Sequence, residues 1–119
     1  MRGLELNKNL LDVGATFIKE AKTAPIYRLW SINDVHPAMQ RVDVGGAAIV
    51  TEIWEVPISG ITTVLLQEPP GLVIGKIQLI DGEFILGVLG EAYACKEQRE
   101  ITEFEGWREY QLARQNGNT

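Results

Sequence analysis

Residues 45–57, Gly-Gly-Ala-Ala-Ile-Val-Thr-Glu-Ile-Trp-Glu-Val-Pro, are the stretch that decides the predicted fold. Alternate residues of a strand point to opposite faces, and here both sets are mostly apolar. A strand that is apolar on both faces is typical of the middle of a sheet. Two glycines precede the run and Pro57 ends it, as expected at strand ends. The stretch therefore predicts a central strand, buried on both faces.

Glu52 is a carboxylate inside that strand, flanked by Val50 and Trp54. A buried carboxylate is costly unless it is paired or protonated, so one interpretation gives Glu52 a partner or a role in a site. The other interpretation places it at the mouth of a barrel with its head in water. The sequence leaves both open.

Composition sets the broad class. A chain of 119 residues is one domain with room for a core, here predicted over residues 1–119. The net charge of −5 argues against a nucleic-acid partner. Cys95 is the only cysteine and His36 the only histidine, so we expect no internal disulfide, no metal site and no cofactor. Without a signal peptide or membrane-length apolar run, we expect a cytoplasmic protein that does not bind membranes.

The first third of the chain reads as a helix, a strand and a loop. Asn9 with Asp12 resembles a capping box, and apolar residues recur at helical spacing from Leu10 to Ala21. Residues 26–32 are aromatic and β-branched, which predicts a strand. Residues 33–39, which contain His36, are predicted to form a loop, where a histidine is either polar surface or a group that titrates near neutral pH.

The remainder predicts a helix, a hairpin and a second helix. Residues 59–67 carry apolar side chains in helical order, and Glu68-Pro69-Pro70-Gly71 ends that helix. Asp81-Gly82 between two apolar runs predicts a hairpin of residues 72–80 and 83–95. That hairpin would place Glu91 inside an apolar strand, while Gly75, Gly87 and Gly90 indicate bulges or tight curvature. Thr102-Glu103-Phe104-Glu105 reads as the capping box of a final helix, and residues 115–119 as a disordered tail.

Several short motifs in this order resemble the C-terminal domain of allophanate hydrolases. They are Thr23-Ala24-Pro25-Ile26-Tyr27-Arg28-Leu29, Gly46-Ala47-Ala48-Ile49 with Glu52-Ile53-Trp54, Glu91-Ala92-Tyr93, and Ile101-Thr102-x-Phe104-x-Gly106-Trp107-Arg108-x-Tyr110. The last of these is the most specific, and together they cover nearly the whole chain. The resemblance places the domain in the γ-glutamyl cyclotransferase-like superfamily. It implies an α+β fold: a small, mostly antiparallel β-barrel with two or three flanking helices and a pocket inside.

The sequence departs from that pattern in two places. The superfamily's first strand and glycine-containing loop, with backbone N–H groups that hold the substrate, are matched here only at their end, by Met1 to Asn7. The family histidine of that region is absent, and His36 does not align with it. Cyclotransferases also place an essential glutamate before a pocket-lining strand; Glu68 lies in that region, although an ungapped match would put Gln67 there.

The leading hypothesis is a γ-glutamyl cyclotransferase-like enzyme for a small amide or carbamate-type substrate, with Glu68 as the catalytic general acid/base. The same glutamate reads equally well as a solvated loop residue. The predicted substrate-binding residues are Gly3, Leu4, Tyr27, Arg28, Glu52 and Glu91.

The alternative is a non-catalytic domain that binds a small ligand or mediates oligomerisation. A third interpretation, in which the protein helps to process the carboxylated product of allophanate breakdown, depends on the resemblance alone. Because a missing first strand would leave a sheet edge unpaired, we also expect a twofold homodimer.

Overall fold

The computed structural model describes residues 10–117, and its first strand replaces a predicted helix. Residues 10–12 are helical, but the helix ends at Gly14, where φ is +83°. The N–H of Ala15 donates to the carbonyl of Leu10 and the N–H of Gly14 to that of Leu11, both at 3.0 Å. These two bonds are a Schellman ending, which needs the left-handed conformation that glycine adopts most easily. The predicted helix to Ala21 is therefore wrong, and its Asn9 cap lies outside the described residues.

The chain then forms strand β1, Thr16–Lys22, which pairs antiparallel with β4, Val50–Glu55. The prediction of a central strand from residues 45–57 is only half right. The strand exists, but within residues 10–117 the β1–β4 sheet has two strands. Residues 50–54 are partly buried and Glu55 is exposed, so β4 is not buried on both faces.

The middle sheet has the order β3–β2–β7. Strand β2, Tyr27–Ile32, confirms the predicted strand, and it turns directly into β3, His36–Arg41. Asn33 and Asp34 make the turn with φ of 54° and 59°, a conformation that these two residue types tolerate better than most. The loop predicted for residues 33–39 is therefore wrong beyond residue 35, because a tight hairpin leaves His36 already in a strand. Strand β7, Arg99–Glu100, pairs with the other edge of β2.

The predicted helix and hairpin of the next segment are confirmed. Helix α1, Ile58–Gln67, is followed by the proline pair and then by β5, Leu72–Gln78, and β6, Phe84–Gly90. The β5–β6 register is continuous from Leu72 opposite Gly90 to Gln78 opposite Phe84, so the glycines mark no bulge. They make room for neighbours instead: a Cβ on Gly87 would lie 2.2 Å from Cδ1 of Ile77.

Strand β6 ends at Gly90, five residues before the predicted end at Cys95. Glu91 is exposed and precedes the short helix α2, Ala92–Cys95, so its predicted place among apolar strand residues is wrong. Burial raises the pKa of the Cys95 thiol.

The final helix is confirmed as α3, Trp107–Gln115, but its predicted capping box is not formed. Residues 102–104 make a 3₁₀ turn, and Thr102 Oγ1 accepts a hydrogen bond from the N–H of Leu29 and donates one to Glu100. The hydroxyl thus joins this segment to β2 instead of capping α3. Gln115 is the last residue of the helix, so the predicted tail does not begin there, and residues 118–119 lie outside the described part.

The fold is α+β with antiparallel sheets, as predicted, but within residues 10–117 the strands form three separate sheets and no closed barrel. The segment from Thr23 to Tyr27 connects all three. Thr23 pairs with Ile49 beside β4, Ala24 donates to the Gln78 carbonyl of β5, and Tyr27 begins β2. The described helices show no span long and apolar enough to cross a membrane.

The main core lies where the sheets meet the C-terminal segment. Its buried members are Tyr27, Leu29, Met39, Ile49, Ile77, Ile101, Trp107 and Tyr110. The ring of Tyr27 is fully buried, and its hydroxyl accepts a hydrogen bond of 2.9 Å from the N–H of Gln78. Tyr27 is therefore both a core residue and a polar bond between β2 and β5.

Asp34 fixes the β2–β3 turn to α3. Its Oδ1 accepts hydrogen bonds of 2.6 Å from Ser31 Oγ and from the Tyr110 hydroxyl, and Arg114 lies 3.6 Å from Oδ2. The hydrogen bonds from Ser31 and Tyr110, and then the Arg114 and Arg99 charges, lower the pKa of this carboxyl despite some desolvation.

We expect Tyr27→Phe to lower the free energy of unfolding by about 1–3 kcal/mol, because the buried Gln78 N–H loses its acceptor. Tyr93→Phe is the matched control, since the Tyr93 side chain is 61% exposed. Urea denaturation measures both. Equal stabilities for the two variants would contradict the assigned role of the Tyr27 hydroxyl.

We expect the stability lost by Asp34→Asn to depend on pH. The lowered pKa means that Asp34 stabilises the fold above its unfolded pKa, near 3.8, and that this stability is lost as pH falls through the folded value. The side chain is 43% exposed, so solvent screening limits the loss near pH 7 to less than about 1 kcal/mol. Urea unfolding from about pH 7 to about pH 3 should show the variant and the parent converging. Asp43→Asn, at an exposed position, is the control for a change of the same kind elsewhere on the surface.

Candidate functional site

A cavity of about 630 Å³ opens between β4, α1 and the β5–β6 hairpin, with α3 at one side. Most of its lining is apolar, and five residues of the main core form part of its wall: Leu29, Met39, Ile49, Ile77 and Trp107. Ligand sites in proteins are typically mostly apolar with a few polar groups, and volumes of roughly 300–1,000 Å³ are usual. This cavity is the candidate site.

Glu52 lines the cavity from β4, between apolar neighbours. Strand β4 is not the predicted central strand that is buried on both faces. Trp54 Nε1 donates a hydrogen bond of 3.2 Å to Glu52 Oε1, and the Trp54 ring packs edge-on against Phe17. The carboxylate is thereby oriented by a side chain two residues away on the same strand. Glu52 is partly buried. The interpretation that it has a partner and the interpretation that it is in contact with water therefore each describe part of its environment.

Glu20 is a cavity residue that the sequence reasoning missed. It is the direct cross-strand partner of Glu52, and both line the cavity. A helix over residues 10–21 would place Glu20 on the face opposite its apolar residues. Strand alternation from Thr16 would have placed Glu20 on the same face as Ile18, and only the pairing with β4 brings it opposite Glu52.

Glu68 follows the last residue of α1 and lines the same cavity. Its backbone is extended, with φ −74° and ψ 148°, as expected for a residue that precedes proline. Its Oε1 atom is buried, so Glu68 is not a fully solvated loop glutamate. The structure thus brings Glu52 and Glu68, predicted separately from two distant segments, to one cavity.

His36 and Arg108 also line the cavity, and neither was a predicted site residue. His36 is partly buried, and its Nδ1 lies 3.2 Å from the carbonyl oxygen of Pro37. Arg108 is exposed on α3. His36 was predicted in a loop, and no local sequence signal shows that β3 faces the cavity.

The other predicted binding residues lie elsewhere. The buried Tyr27 is a core residue, and Arg28 Nε lies 3.3 Å from the carbonyl oxygen of Gly45 and 3.5 Å from Glu100. Neither of these residues lines the cavity, nor does the exposed Glu91. Of the Thr-x-Pro-x-Tyr-Arg-Leu motif, Leu29 lines the cavity, whereas Tyr27 and Arg28 do not. Gly3 and Leu4 lie outside the described residues. Across residues 10–117, no group of three or more His, Cys, Asp or Glu is placed to hold a metal ion.

Comparisons with known proteins give the family. The family model described as "Allophanate hydrolase C-terminal domain" matches residues 1–112. The chain belongs to the allophanate hydrolase C-terminal domain family. The resemblance drawn from the sequence motifs is confirmed at this level.

The domain is shared by relatives that are much longer than this chain and by one of similar length. The chain is 31% identical to the urea amidolyase of Saccharomyces cerevisiae (strain ATCC 204508 / S288c), over 92% of the chain and 6% of that protein. Among solved structures, c4763, described as a uropathogenic E. coli-specific protein, is 51% identical with a TM-score of 0.91, covering 94% of this chain and 88% of that one. A Kluyveromyces lactis allophanate hydrolase is 28% identical with a TM-score of 0.87, covering 94% of this chain but 19% of that enzyme. The chain therefore spans only a small part of the curated relative it matches.

Proposed function

We propose that the cavity binds a small amide or carbamate-type compound and that Glu68 acts there as a general acid/base. The observation that supports this most directly is the meeting of Glu68 and Glu52 at one largely apolar cavity, with Glu68 Oε1 buried. A carboxyl group held among apolar side chains is partly desolvated, which favours proton exchange with a bound substrate.

The proposed chemistry is one proton transfer in each direction. Glu68 accepts a proton from a nucleophile, an amine of the substrate in a cyclotransferase, as that nucleophile attacks the amide carbon. It then returns the proton to the leaving nitrogen as the C–N bond breaks. Glu52, held by Trp54, orients the substrate by accepting hydrogen bonds from its N–H groups.

The substrate class follows from the relatives and from the cavity together. The larger relatives are named urea amidolyase and allophanate hydrolase, so ureas and their carboxylated derivatives join γ-glutamyl amides as candidates. Processing of the carboxylated product of allophanate breakdown is one case within this class. Membership of the γ-glutamyl cyclotransferase-like superfamily stays a prediction.

We expect Glu68→Gln to lower turnover by about 10²–10⁴-fold with little change in binding or stability, because the amide keeps the shape of the side chain but cannot carry the proton. The assay compares γ-glutamyl amides, urea and allophanate as substrates. Glu91→Gln, on an exposed residue away from the cavity, is the control and should keep full turnover. Glu52→Gln separates the roles: an equal loss of kcat there would move the acid/base role to β4. If the parent protein converts none of these compounds, the catalytic proposal fails.

A second candidate function is a non-catalytic, oligomer-forming domain, and the outer face of α1 favours it. Helix α1 contains no charged residue, and its Ile58 and Leu66 side chains are 87% and 82% exposed. Large apolar side chains exposed on one helix are typical of interaction surfaces. A twofold homodimer that covers this face is the assembly proposed.

We expect the protein to sediment at about twice its monomer mass of 13.2 kDa and Leu66→Glu to sediment as a monomer. A buried charge would oppose association, whereas Gln67→Glu adds the same charge one residue further on and should leave the dimer intact. Sedimentation velocity at micromolar concentration measures all three proteins. A monomeric parent protein, or equal dissociation of both variants, would rule out this face as the interface.

A further inference from the structure

The β5–β6 hairpin forms a wall of the cavity and contributes no polar side chain to the cavity lining. Its contributions to the lining are Gly87 and six apolar residues: Leu72, Ile74, Ile77, Ile85, Leu86 and Val88. Helix α1 adds Ile61, Val64 and Leu65. The charged and polar groups come instead from β1, β3 and β4, from Glu68, and from α3. The cavity therefore has carboxylates from one set of elements and a continuous apolar wall from another.

The volume of the cavity is large for a simple amide. A cavity of roughly 150 Å³ in a protein interior holds one benzene molecule. The volume here, about 630 Å³, is about four times larger and corresponds to a ligand of about 20 non-hydrogen atoms. Unsubstituted urea or carbamate would fill a small fraction of it and would leave the hairpin wall in contact with water.

The exposed apolar area of that wall also favours a ligand larger than urea. Leu86 is 64% exposed and Ile74 is 38% exposed, although both line the cavity. Removing such area from water is favourable by about 25 cal/mol per Å². A ligand with an apolar group gains this free energy, and a purely polar ligand does not.

From these observations we propose that the ligand is an N-substituted amide or carbamate whose apolar group lies against the β5–β6 wall. The amide or carbamate head is taken from the proposed function, and this inference adds the apolar substituent. The head group would face Glu52 and Glu68, and the substituent would cover Ile74, Leu86 and Val88.

Adjacent residues of β5 provide a matched pair for the test. Ile74 lines the cavity and Val73 does not, yet their side chains are 38% and 39% exposed. The two side chains point to opposite faces of the hairpin, as successive residues of a strand do. Ile74→Thr and Val73→Thr both keep a β-branched residue in the strand, so any effect on folding should be similar in the two variants.

The experiment uses N-phenyl-1-naphthylamine, a neutral apolar fluorophore, as the probe, and displaces it with urea, butylurea, hexylurea and octylurea. We expect urea not to compete and each added methylene to tighten binding by about two- to fourfold until the wall is covered. Ile74→Thr should weaken probe and hexylurea binding by at least about threefold, because an ethyl group of the wall is replaced by a hydroxyl. Val73→Thr should bind as the parent does.

Three results would overturn the inference: no probe binding, urea competing as well as hexylurea, or equal effects of the two threonine variants. A parent protein that sediments as a dimer and excludes the probe would show that a second copy covers the wall, which also overturns it.

The same titration in Glu68→Gln separates this inference from the proposed function. The chain-length trend requires no proton transfer, so it should persist in that variant. A trend without turnover of any substrate supports the apolar ligand and rejects the catalytic proposal. Turnover of unsubstituted compounds without a chain-length trend supports the catalytic proposal and rejects the apolar ligand.

Discussion

The structure depends on the hydrogen bonds that surround one buried hydroxyl, that of Thr23. Thr23 Oγ1 accepts a bond of 2.9 Å from the N–H of Ile49 and donates one of 2.8 Å to the Ala24 carbonyl, while the Thr23 N–H donates to Ile49. On either side, Lys22 and Ala24 exchange backbone bonds with the β5 hairpin. A two-stranded sheet is marginally stable alone, so these bonds make one folded unit of sheets that could not persist separately. In a continuing strand a backbone carbonyl would accept the hydrogen bond from the Ile49 N–H, and here Thr23 Oγ1 accepts it instead.

The fold could be predicted from sequence where a local signal decides the structure. Asp81-Gly82 fixed the hairpin, the proline pair ended α1, and residues 26–32 formed their strand. The failures have a common cause. Between Leu10 and Ala21 the apolar spacing fits a helix, yet Gly14 ends the helix and pairing with β4 stabilises a strand. Strand pairing is a long-range interaction, and neither the β1 partner nor the separation into sheets leaves a local pattern.

Of the four carboxylates that line the candidate site, the sequence predicts Glu52 and Glu68 but not Glu20 or Glu109. Glu52 and Glu68 were singled out because a glutamate between apolar residues, or before a pocket-lining strand, needs an explanation, and both line the cavity. Tyr27 and Arg28 were assigned to binding because they stand in a recognisable motif. The structure places Tyr27 in the core and Arg28 between Gly45 and Glu100, so neither of these two residues lines the cavity. A motif marks what a family fold requires, and a core requires it as much as a site does.

The core and the cavity share residues, so a substitution at a shared position would affect both the stability of the fold and the shape of the cavity. Leu29, Met39, Ile49, Ile77 and Trp107 belong to the main core and also line the cavity. A close-packed core does not deform easily, so this part of the wall presents a fixed shape to any ligand. Ile74 and Val88 line the cavity without belonging to that core, so they can change with less effect on folding. Members of this family could therefore alter ligand preference through these strand positions while keeping the fold, whereas a change at Ile77 would affect both at once.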